Sequence, residues 1–531
     1  MTVAGMSRPC GSIMPCDGAA TSDSQPAVRM DRRYWTVGTS LMLLSLAVFL
    51  VNTRHGIGIL PDTTRYMGIN DLPYDAPVYA WLVRLPALMG IDMDAGAKAL
   101  GLIFACANTF LVWHLLFRAT GKYRYAIVGT ALIVLAPQYV AVHASAMSEP
   151  PFLFFLLLTL LTILRYFKTE KRGWLVASAV VLAVASLTRF AGPTLGGAIA
   201  LSLLLNPRHD RRRRIADAVL FGLVSAGIFV FWVALSQIRH GHSLGRELWF
   251  YGNMGPEEWR RSFGSLMAWL LPDDVPNSLR AIVFLIFALA AVGLITAHSR
   301  RALERARTTI VVHDFLPLIL GLFTVCYMAF MALAATIEAN LLLNSRYALP
   351  PYVMTVMAVT IALAGSSGLA GASRMIHDSL VVLAIIVLST HSARTVVRSL
   401  DAYHSGIGYA GLEWKQSPTM LAIRDLPGNA LVYSNGPDAI AYVLKRPASF
   451  IPARFQLRTG VEDPSNTYEQ QLSRLQHAAE TQRTFIVMLD KVDWRFYRAS
   501  EADLMKHLSL VNVATKPDGR IYEVLPAVTK E

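Results

Sequence analysis

Long apolar segments separated by short polar ones make up most of residues 35–396. The most continuous are LMLLSLAVFLV (41–51), PFLFFLLLTLLTIL (151–164), AIVFLIFALAAVGLITA (281–297) and SLVVLAIIVLS (379–389). About 20 mostly apolar residues cross the roughly 30 Å hydrocarbon layer of a membrane as one α-helix. The pattern predicts about eleven such spans, at 35–53, 96–117, 125–143, 150–166, 173–188, 191–206, 215–237, 279–297, 314–337, 349–365 and 378–396.

The pattern changes after residue 396, where apolar runs shorten and charged residues become frequent. ALVYSN (430–435), AIAYVL (439–444) and TFIVMLD (484–490) have the length and composition of β-strands. Residues 467–482 have the apolar spacing of an amphipathic helix, and 511–525 predict a hairpin with a Pro-Asp-Gly turn. The predicted fold class is an α-helical polytopic membrane protein with a disordered tail (1–34), a transmembrane domain (35–396) and a small C-terminal α/β domain (397–531).

Composition supports a membrane protein and excludes several other classes. The 531 residues are 54% hydrophobic and only 16% charged, against about 25% charged in soluble domains. The net charge of +13 is explained by basic residues that flank membrane spans on the cytoplasmic side, and no aromatic-basic motif indicates nucleic acid as a partner. The sequence has no Walker A motif, no GxGxxG that opens a helix and no HExxH, which argues against a nucleotide-driven pump or a zinc protease.

Basic residues are concentrated in alternate loops. These are RATGKYR (118–124), KTEKR (168–172), PRHDRRRR (207–214) and SRRALERAR (299–307), and the tail ends in RMDRR. The positive-inside rule makes these segments cytoplasmic, so that the N-terminus is cytoplasmic and the C-terminal domain is extracytoplasmic. The outer loops 54–95 and 238–278 each contain a short amphipathic segment, 76–90 and 257–271, typical of a helix lying in the membrane interface.

Charged side chains at the outer ends of the spans are candidates for function, because charge at membrane depth is costly. Asp62 follows the first span directly, and Arg65 and Tyr66 come three and four residues later. A helix N-cap is the alternative for Asp62, since Pro61-Asp62-Thr63-Thr64 also fits the start of a helix.

Three further charged residues belong to the same predicted face. Glu149 opens a span in SEPP, where capping is again the alternative because an acid favours the positive end of the helix dipole. Arg189 and Arg346 lie at outer ends of spans, where the topology rule predicts few cations. A snorkelling side chain is the alternative for Arg189, whereas two outer arginines would suit a phosphate at headgroup level, with Tyr347 lining the site.

Two carboxylates and two arginines on one face suit the transfer of a sugar from a polyprenyl phosphate. Phosphate is a good leaving group, so the reaction needs a base for the acceptor hydroxyl and cations for the departing phosphate. Asp62 is the predicted base of an inverting single displacement. Glu149 is expected to orient the acceptor or the sugar, or to ligate a metal.

Taken in order, these motifs resemble those of the GT-C membrane glycosyltransferases, in the bacterial group related to protein mannosyltransferases and the lipid A aminoarabinose transferase. DTTRY (62–66) is similar to that group's Asp-Ser/Thr-x-x-Tyr, and YDAPVYAWLVRLPAL (74–88) to its juxtamembrane helix. The opening of the group's fourth span is similar to SEP (148–150). Its two arginine-containing stretches are similar to LTRFAG (187–192) and SRYALPPY (345–352). Residues 426–452 resemble the outer domain of many members.

The resemblance implies that the first-loop aspartate, Asp62 here, acts as catalytic base or metal ligand. Asp75, Tyr79 and His143, in or beside the matching stretches, complete the expected substrate-binding residues. Related enzymes often have an Asp-Glu pair at the first position, but here Thr63 follows the aspartate. No cofactor is predicted with certainty, and the requirement for a divalent metal stays open.

The sequence therefore predicts a glycosyltransferase of the bacterial plasma membrane. It would use a polyprenyl-phosphate-sugar donor and a lipid, glycan or protein acceptor. A lipid or solute transporter and a non-catalytic envelope assembly subunit are the alternatives. A transporter would need polar residues along a path through the spans, whereas here they gather at one face.

Overall fold

A helical bundle with a small α/β domain at one end makes up the computed structural model, which describes residues 30–69, 76–240, 249–252, 254–306, 312–366 and 372–526. The helices of the bundle and its connections are α1 (Arg32–Asn52), α2 (Pro61–Tyr66), α3 (Pro77–Leu88), α4 (Met93–Thr120), α5 (Tyr123–Val134), α6 (Pro137–His143), α7 (Glu149–Thr169), α8 (Arg172–Thr188), α9 (Pro193–Leu204), α10 (Arg211–His240), α11 (Pro256–Met267), α12 (Asn277–Arg305), α13 (Leu316–Ile337), α14 (Leu349–Ser366) and α15 (Ala372–Ser405). A 3₁₀ turn, Val312–Phe315, precedes α13.

The long helices account for most of the predicted spans. Within the described residues, eight helices are long and apolar enough to cross a membrane, and a ninth span results if the bent pair α5 and α6 is counted as one. The shorter apolar helices α8 and α9 coincide with two further predicted spans. The chain is thus a multi-pass membrane protein, and the total of eleven spans stays a prediction.

One predicted span is not a straight helix. The sequence predicted a single span at 125–143, but α5 and α6 meet at an angle of 61°. Pro137 is the first residue of α6, and proline lacks the N–H that a continuous helix would need at this position. The bend directs the chain after α6 toward the start of α7.

The C-terminal domain is built on a five-stranded sheet with the order β2-β1-β3-β5-β4. Its strands are β1 (Leu431–Ser434), β2 (Ser449–Phe450), β3 (Thr484–Leu489), β4 (Leu510–Lys516) and β5 (Gly519–Val524), and its helices are α16 (Leu412–Lys415), α17 (Pro418–Arg424), α18 (Pro437–Leu444), α19 (Tyr468–Thr481) and α20 (Glu501–His507). β1 is parallel to β2 and β3, whereas β5 is antiparallel to β3 and β4. The domain boundary at residue 397 stays a prediction, and α15 itself continues to Ser405.

The predicted strand at 439–444 is wrong, because these residues belong to α18. Pro437 is the first residue of that helix, a position that suits proline. A short apolar run does not distinguish a buried strand from a buried helix by periodicity alone. The other predicted strands, the 467–482 helix and the 511–525 hairpin are confirmed within a few residues.

The domain and the segment between α1 and α4 share one hydrophobic core. Tyr66 and Tyr79, from α2 and α3, pack in the same cluster as Trp414, Ile440 and Phe485 of the domain. Backbone pairing adds to this contact, since Gly58 pairs with Ser145 and Ile59 with Gly408 in isolated parallel bridges. The segment leading to Asp62 is therefore fixed between the loop before α7 and the start of the domain.

Candidate active site

A cavity of about 500 Å³ lies at the end of the bundle that carries the C-terminal domain, and we call it the site cavity. Its walls come from α2, the start of α7, the α8–α9 turn, the segment between α13 and α14, and the C-terminal domain. The predicted site residues that line it are Asp62, Arg65, Tyr66, Arg189, Arg346 and Tyr347. Glu149 lies directly behind two of these arginines, and its side chain is only 1% exposed.

Arg346 joins the two predicted catalytic acids. Its Nη1 donates to Oδ2 of Asp62 at 2.8 Å, and its Nε donates to Oε1 of Glu149 at 2.9 Å. Arg65 forms a second ion pair with Asp62, through Oδ1. Each oxygen of the Asp62 carboxylate therefore accepts from one guanidinium group, and the side chain remains 28% exposed to the cavity.

Arg189 holds Glu149 from the other side. Its Nη1 lies 2.9 Å from Oε1 of Glu149 and donates to Oγ of Ser148 at 3.0 Å. The Ser148 hydroxyl is also within hydrogen-bonding distance of the Tyr66 hydroxyl, at 3.2 Å. The guanidinium of Arg189 lies over the Tyr347 ring, 5.3 Å from its centroid, so that charge and an aromatic face both position it.

Local sequence explains why Asp62 is available to the arginines. Pro61 opens α2 and Leu60 is its N-cap, so Asp62 does not cap the helix. Instead the Thr63 hydroxyl accepts from the Leu60 N–H at 3.0 Å and donates to the Ala146 carbonyl at 2.8 Å. The capping alternative for Asp62 is therefore wrong, because the neighbouring threonine satisfies the end of the helix.

The segment after α13 positions Arg346 in a comparable way. The Asn344 side-chain oxygen accepts from the backbone N–H groups of Arg346 and Tyr347, at 3.0 and 3.2 Å. Local side-chain to backbone bonds of this kind fix turns, and α14 begins directly afterwards at Leu349. Arg189 is fixed differently, since it is the C-cap of α8 in an extended conformation.

Electrostatics hold the cluster in its ionised form. Burial by itself would raise the pKa of the Asp62 carboxyl, but the charges of Arg346 and Arg65 outweigh burial, and this pKa lies below its ordinary value. Burial would lower the pKa of Arg346, yet Glu149 and Asp62 raise it above its ordinary value. Three guanidinium groups and two carboxylates leave the cluster with one net positive charge.

Two predicted substrate-binding residues, Tyr79 and His143, do not line the cavity. Tyr79 is buried against Tyr66, with the rings edge to face at 5.0 Å. His143 is also buried, with Nδ1 2.8 Å from the Tyr139 carbonyl and Nε2 3.0 Å from the Asn108 amide, so both of its nitrogens are engaged away from the cavity. Asp75 lies outside the described residues.

Sequence reasoning missed several cavity residues. Glu338 directly follows α13 as its C-cap, and Leu457 and Arg458 reach the cavity from the C-terminal domain. The Arg458 carbonyl accepts from Ala339 N–H at 2.7 Å, and the Leu457 carbonyl accepts from the Asn340 side chain at 3.0 Å. No local pattern marks residues 457 and 458, whereas Asn344 was readable as a turn residue beside Arg346.

The acids as arranged do not fit a metal ion. Guanidinium groups occupy both oxygens of Asp62 and Oε1 of Glu149. Within the described ranges, no group of three or more His, Cys, Asp or Glu side chains is placed to hold a metal. Among the described residues, Asp62 and Glu149 are thus paired with arginines rather than grouped as metal ligands.

Comparison with known proteins adds a partial family match. The model of the family described as dolichyl-phosphate-mannose-protein mannosyltransferase matches residues 74–236, which is less than half of the chain. That range contains Glu149 and Arg189 but not Asp62 or Arg346. No curated protein matches the sequence significantly.

Solved structures match over nearly the whole chain. ArnT from Cupriavidus metallidurans, solved with undecaprenyl phosphate, has 13% identity and a TM-score of 0.54, and the match covers 93% of this chain and 98% of ArnT. This chain has the GT-C fold. A second GT-C structure is AglB from Archaeoglobus fulgidus, an archaeal oligosaccharyltransferase solved with an inhibitory peptide and a dolichol-phosphate. It has 12% identity and a TM-score of 0.50, and the match covers 92% of this chain and 74% of the AglB chain.

The GT-C fold confirms the fold that the ordered motifs predicted for this membrane protein. Similarity at these identities extends to the fold alone, so the chemistry of this GT-C chain rests on its own residues. The site cavity, with its arginine-bridged acids, provides them.

Proposed function

We propose that this chain transfers a sugar from a polyprenyl-phosphate donor to an acceptor hydroxyl at the extracytoplasmic face of the membrane. The observation that carries the proposal is the guanidinium of Arg346, which joins Asp62 and Glu149 beside the site cavity. The GT-C fold supports it, because ArnT and AglB, which share the fold, were solved with undecaprenyl phosphate and a dolichol-phosphate.

The charge of the cluster suits a phosphodiester. A sugar linked through one phosphate to a polyprenol carries one negative charge, which the single net positive charge of the cluster neutralises. Arg189 and Arg346 line the cavity, and a planar guanidinium donates two parallel hydrogen bonds to phosphate oxygens. These two side chains bind the donor phosphate.

The transfer is a single displacement. The acceptor hydroxyl oxygen attacks the anomeric carbon, and the bond from that carbon to the phosphate oxygen breaks with its electron pair staying on the phosphate. The hydroxyl proton passes to the carboxylate of Asp62. Attack opposite the leaving phosphate inverts the anomeric centre, and the arginines stabilise the charge that develops on the phosphate.

Donor binding raises the basicity of Asp62. In the free protein, Arg346 and Arg65 lower the pKa of this carboxyl, which keeps it ionised but makes it a weak base. When the donor phosphate binds beside Arg346, its negative charge offsets part of that stabilisation and the pKa of Asp62 rises. The base is therefore activated only when a donor is present.

Glu149 acts as a positioning residue. It is buried and does not line the cavity, but its Oε1 contacts both Arg189 and Arg346. Ser148 adds a hydrogen bond to Arg189. Together they fix the two guanidinium groups before the donor arrives, which spares the reorganisation that catalysis would otherwise require.

A cell-based lipid analysis tests the proposal whatever the identity of the sugar. In cells that lack this chain, mass spectrometry of lipid extracts should show the accumulation of a polyprenyl-phosphate sugar. This lipid should return to its normal level when the wild-type chain is restored. Asp62→Asn should restore expression but not consumption of that lipid, since general base catalysis contributes about 10²–10⁴-fold.

Asp92→Asn is the matched control. Asp92 caps α4 by accepting from Ala95 N–H at 3.0 Å, is exposed and does not line the site cavity, and asparagine caps helices about as well. Full restoration by Asp62→Asn would contradict the base assignment, and unchanged lipids in the absence of the chain would contradict the transferase itself.

A further inference from the structure

A second cavity, of about 610 Å³, lies between α5, α12, α14 and α15, and we call it the α14 groove. Its lining is mostly apolar and includes Val128, Phe287, Val356 and Leu383. Lining residues on α14 run from Tyr352 to Ser366, roughly 21 Å at about 1.5 Å per residue. The groove therefore extends over much of the roughly 30 Å apolar thickness of a membrane.

Charged side chains lie at one end of the groove, the end away from the C-terminal domain. Arg124, Arg374, His377 and Asp378 all belong to its lining. His377 contacts the Tyr125 hydroxyl at 2.9 Å and an Asp378 oxygen at 2.9 Å. Arg374 is only loosely paired with Asp378, at 3.7 Å, and is 75% exposed. Two arginines against one carboxylate give this end a positive charge.

A polar network lies at the opposite end of the groove. The Tyr352 hydroxyl donates to the Leu132 carbonyl at 2.8 Å, and His391 Nε2 lies 3.1 Å from the Trp269 carbonyl. Trp269 and Tyr352 both line the groove. Arg394 lies beyond this network, 3.5 Å from the Ala268 carbonyl, and does not line the groove. A ligand along the apolar walls therefore meets charged lining residues at the arginine end.

We propose that the α14 groove binds a phospholipid with an anionic headgroup. One acyl chain lies along the apolar walls, and the headgroup phosphate is bound by Arg124 and Arg374. The occupant is distinct from the glycosyl donor, because the arginines of the site cavity lie at the opposite end of the bundle. The site would favour anionic over zwitterionic lipids, since each basic side chain near the membrane surface attracts negative charge.

Native mass spectrometry of the purified full chain tests the proposal. The protein is reconstituted in nanodiscs with equal amounts of dioleoylphosphatidylglycerol and dioleoylphosphatidylcholine, then released, and the lipid retained is identified. Wild-type protein should retain the anionic lipid in preference. The double variant Arg124→Gln, Arg374→Gln should lose that preference by about 30-fold, the ratio expected from two surface arginines.

Two controls separate the groove from general charge and from folding. Arg211→Gln with Arg212→Gln removes two exposed arginines that do not line the groove, and retention should not change. Ala384→Phe fills the groove and should expel the lipid, whereas Ile386→Phe, on an exposed position of the same helix, should not. Equal retention of both lipids by wild type, or unchanged retention in the Arg124 and Arg374 variant, would overturn the proposal.

Discussion

Replacement of Arg346 tests most directly whether the site cavity binds a phosphate. Lysine keeps the charge but presents a single ammonium group, which cannot reach Asp62 and Glu149 in the two directions that the guanidinium uses. Glutamine removes the charge as well. We expect Arg346→Lys to impair transfer even though it is formally conservative, and Arg346→Gln to impair it more.

The structure sets the scale of both effects. The two bonds of Arg346, at 2.8 and 2.9 Å, are charge-assisted, and the side chain is 27% exposed. Removal of one preorganised donor to a developing charge typically costs 10²–10³ in kcat, so we expect about 10²-fold for lysine and about 10³-fold for glutamine. The free energy of unfolding should fall by only about 2 kcal/mol, because Glu149 remains paired with Arg189 and Asp62 remains paired with Arg65.

The assay compares donor kinetics of equally expressed proteins in proteoliposomes, with thermal unfolding measured in parallel. A contact that tightens as the phosphate departs lowers kcat, whereas one of equal strength throughout raises donor KM. Arg280→Lys is the matched control, since Arg280 also pairs with an acid, Asp273, and lies outside the site cavity. Wild-type kinetics for both Arg346 variants would refute the phosphate role.

Three further predictions concern protonation, the acceptor and topology. The pKa of Asp62 lies below its ordinary value, so the acid limb of a pH profile of donor kcat/KM, which reports the free enzyme, should lie below pH about 4. The stability that the ion pairs of Asp62 contribute should be complete above that pH and be lost as pH falls through the folded-state pKa, which unfolding measured at several pH values would show. Arg458→Gln should raise the acceptor KM several-fold and leave the donor KM unchanged, because Arg458 enters the cavity from the C-terminal domain. Steady-state kinetics with each substrate varied test this, and an equal rise in both KM values would contradict it. In a chain without native cysteines, Gly428→Cys should react with an impermeant maleimide on intact cells and Asp210→Cys should not; the reverse pattern would invert the predicted topology.

The bundle was largely predictable because membrane spans follow from local apolar content. Its exceptions have local causes as well. Pro137 was a readable signal for the bend between α5 and α6, and Pro437 for the helix that was predicted as a strand. The pattern could not predict which elements pack against one another. An example is the core that Tyr66 and Tyr79 share with the C-terminal domain.

The candidate site was predictable as a set of residues but not as a network. Asp62, Arg189 and Arg346 stood out because charge is unexpected at the ends of spans that the sequence predicts to face outward. Their pairing was not readable, since Arg346 lies 284 residues from Asp62 and 197 from Glu149 in the sequence. The approach of Arg458 depends on how the C-terminal domain packs and has no local signature at all.

The bridge between Ile59 and Gly408 has a consequence for the construction of chimaeras. The Tyr409 N–H donates to the Ile59 carbonyl at 2.8 Å. Gly408 has a φ of +56°, and a Cβ added at this residue would lie only 2.2 Å from the same carbonyl oxygen. A domain exchange joined at residue 397 or 405 would replace this glycine and displace the segment that leads to Asp62. At Gly428 an added side chain would meet nothing within 4 Å. A junction near this residue would therefore allow a foreign domain to be attached while the native contact between Ile59 and Gly408 is kept.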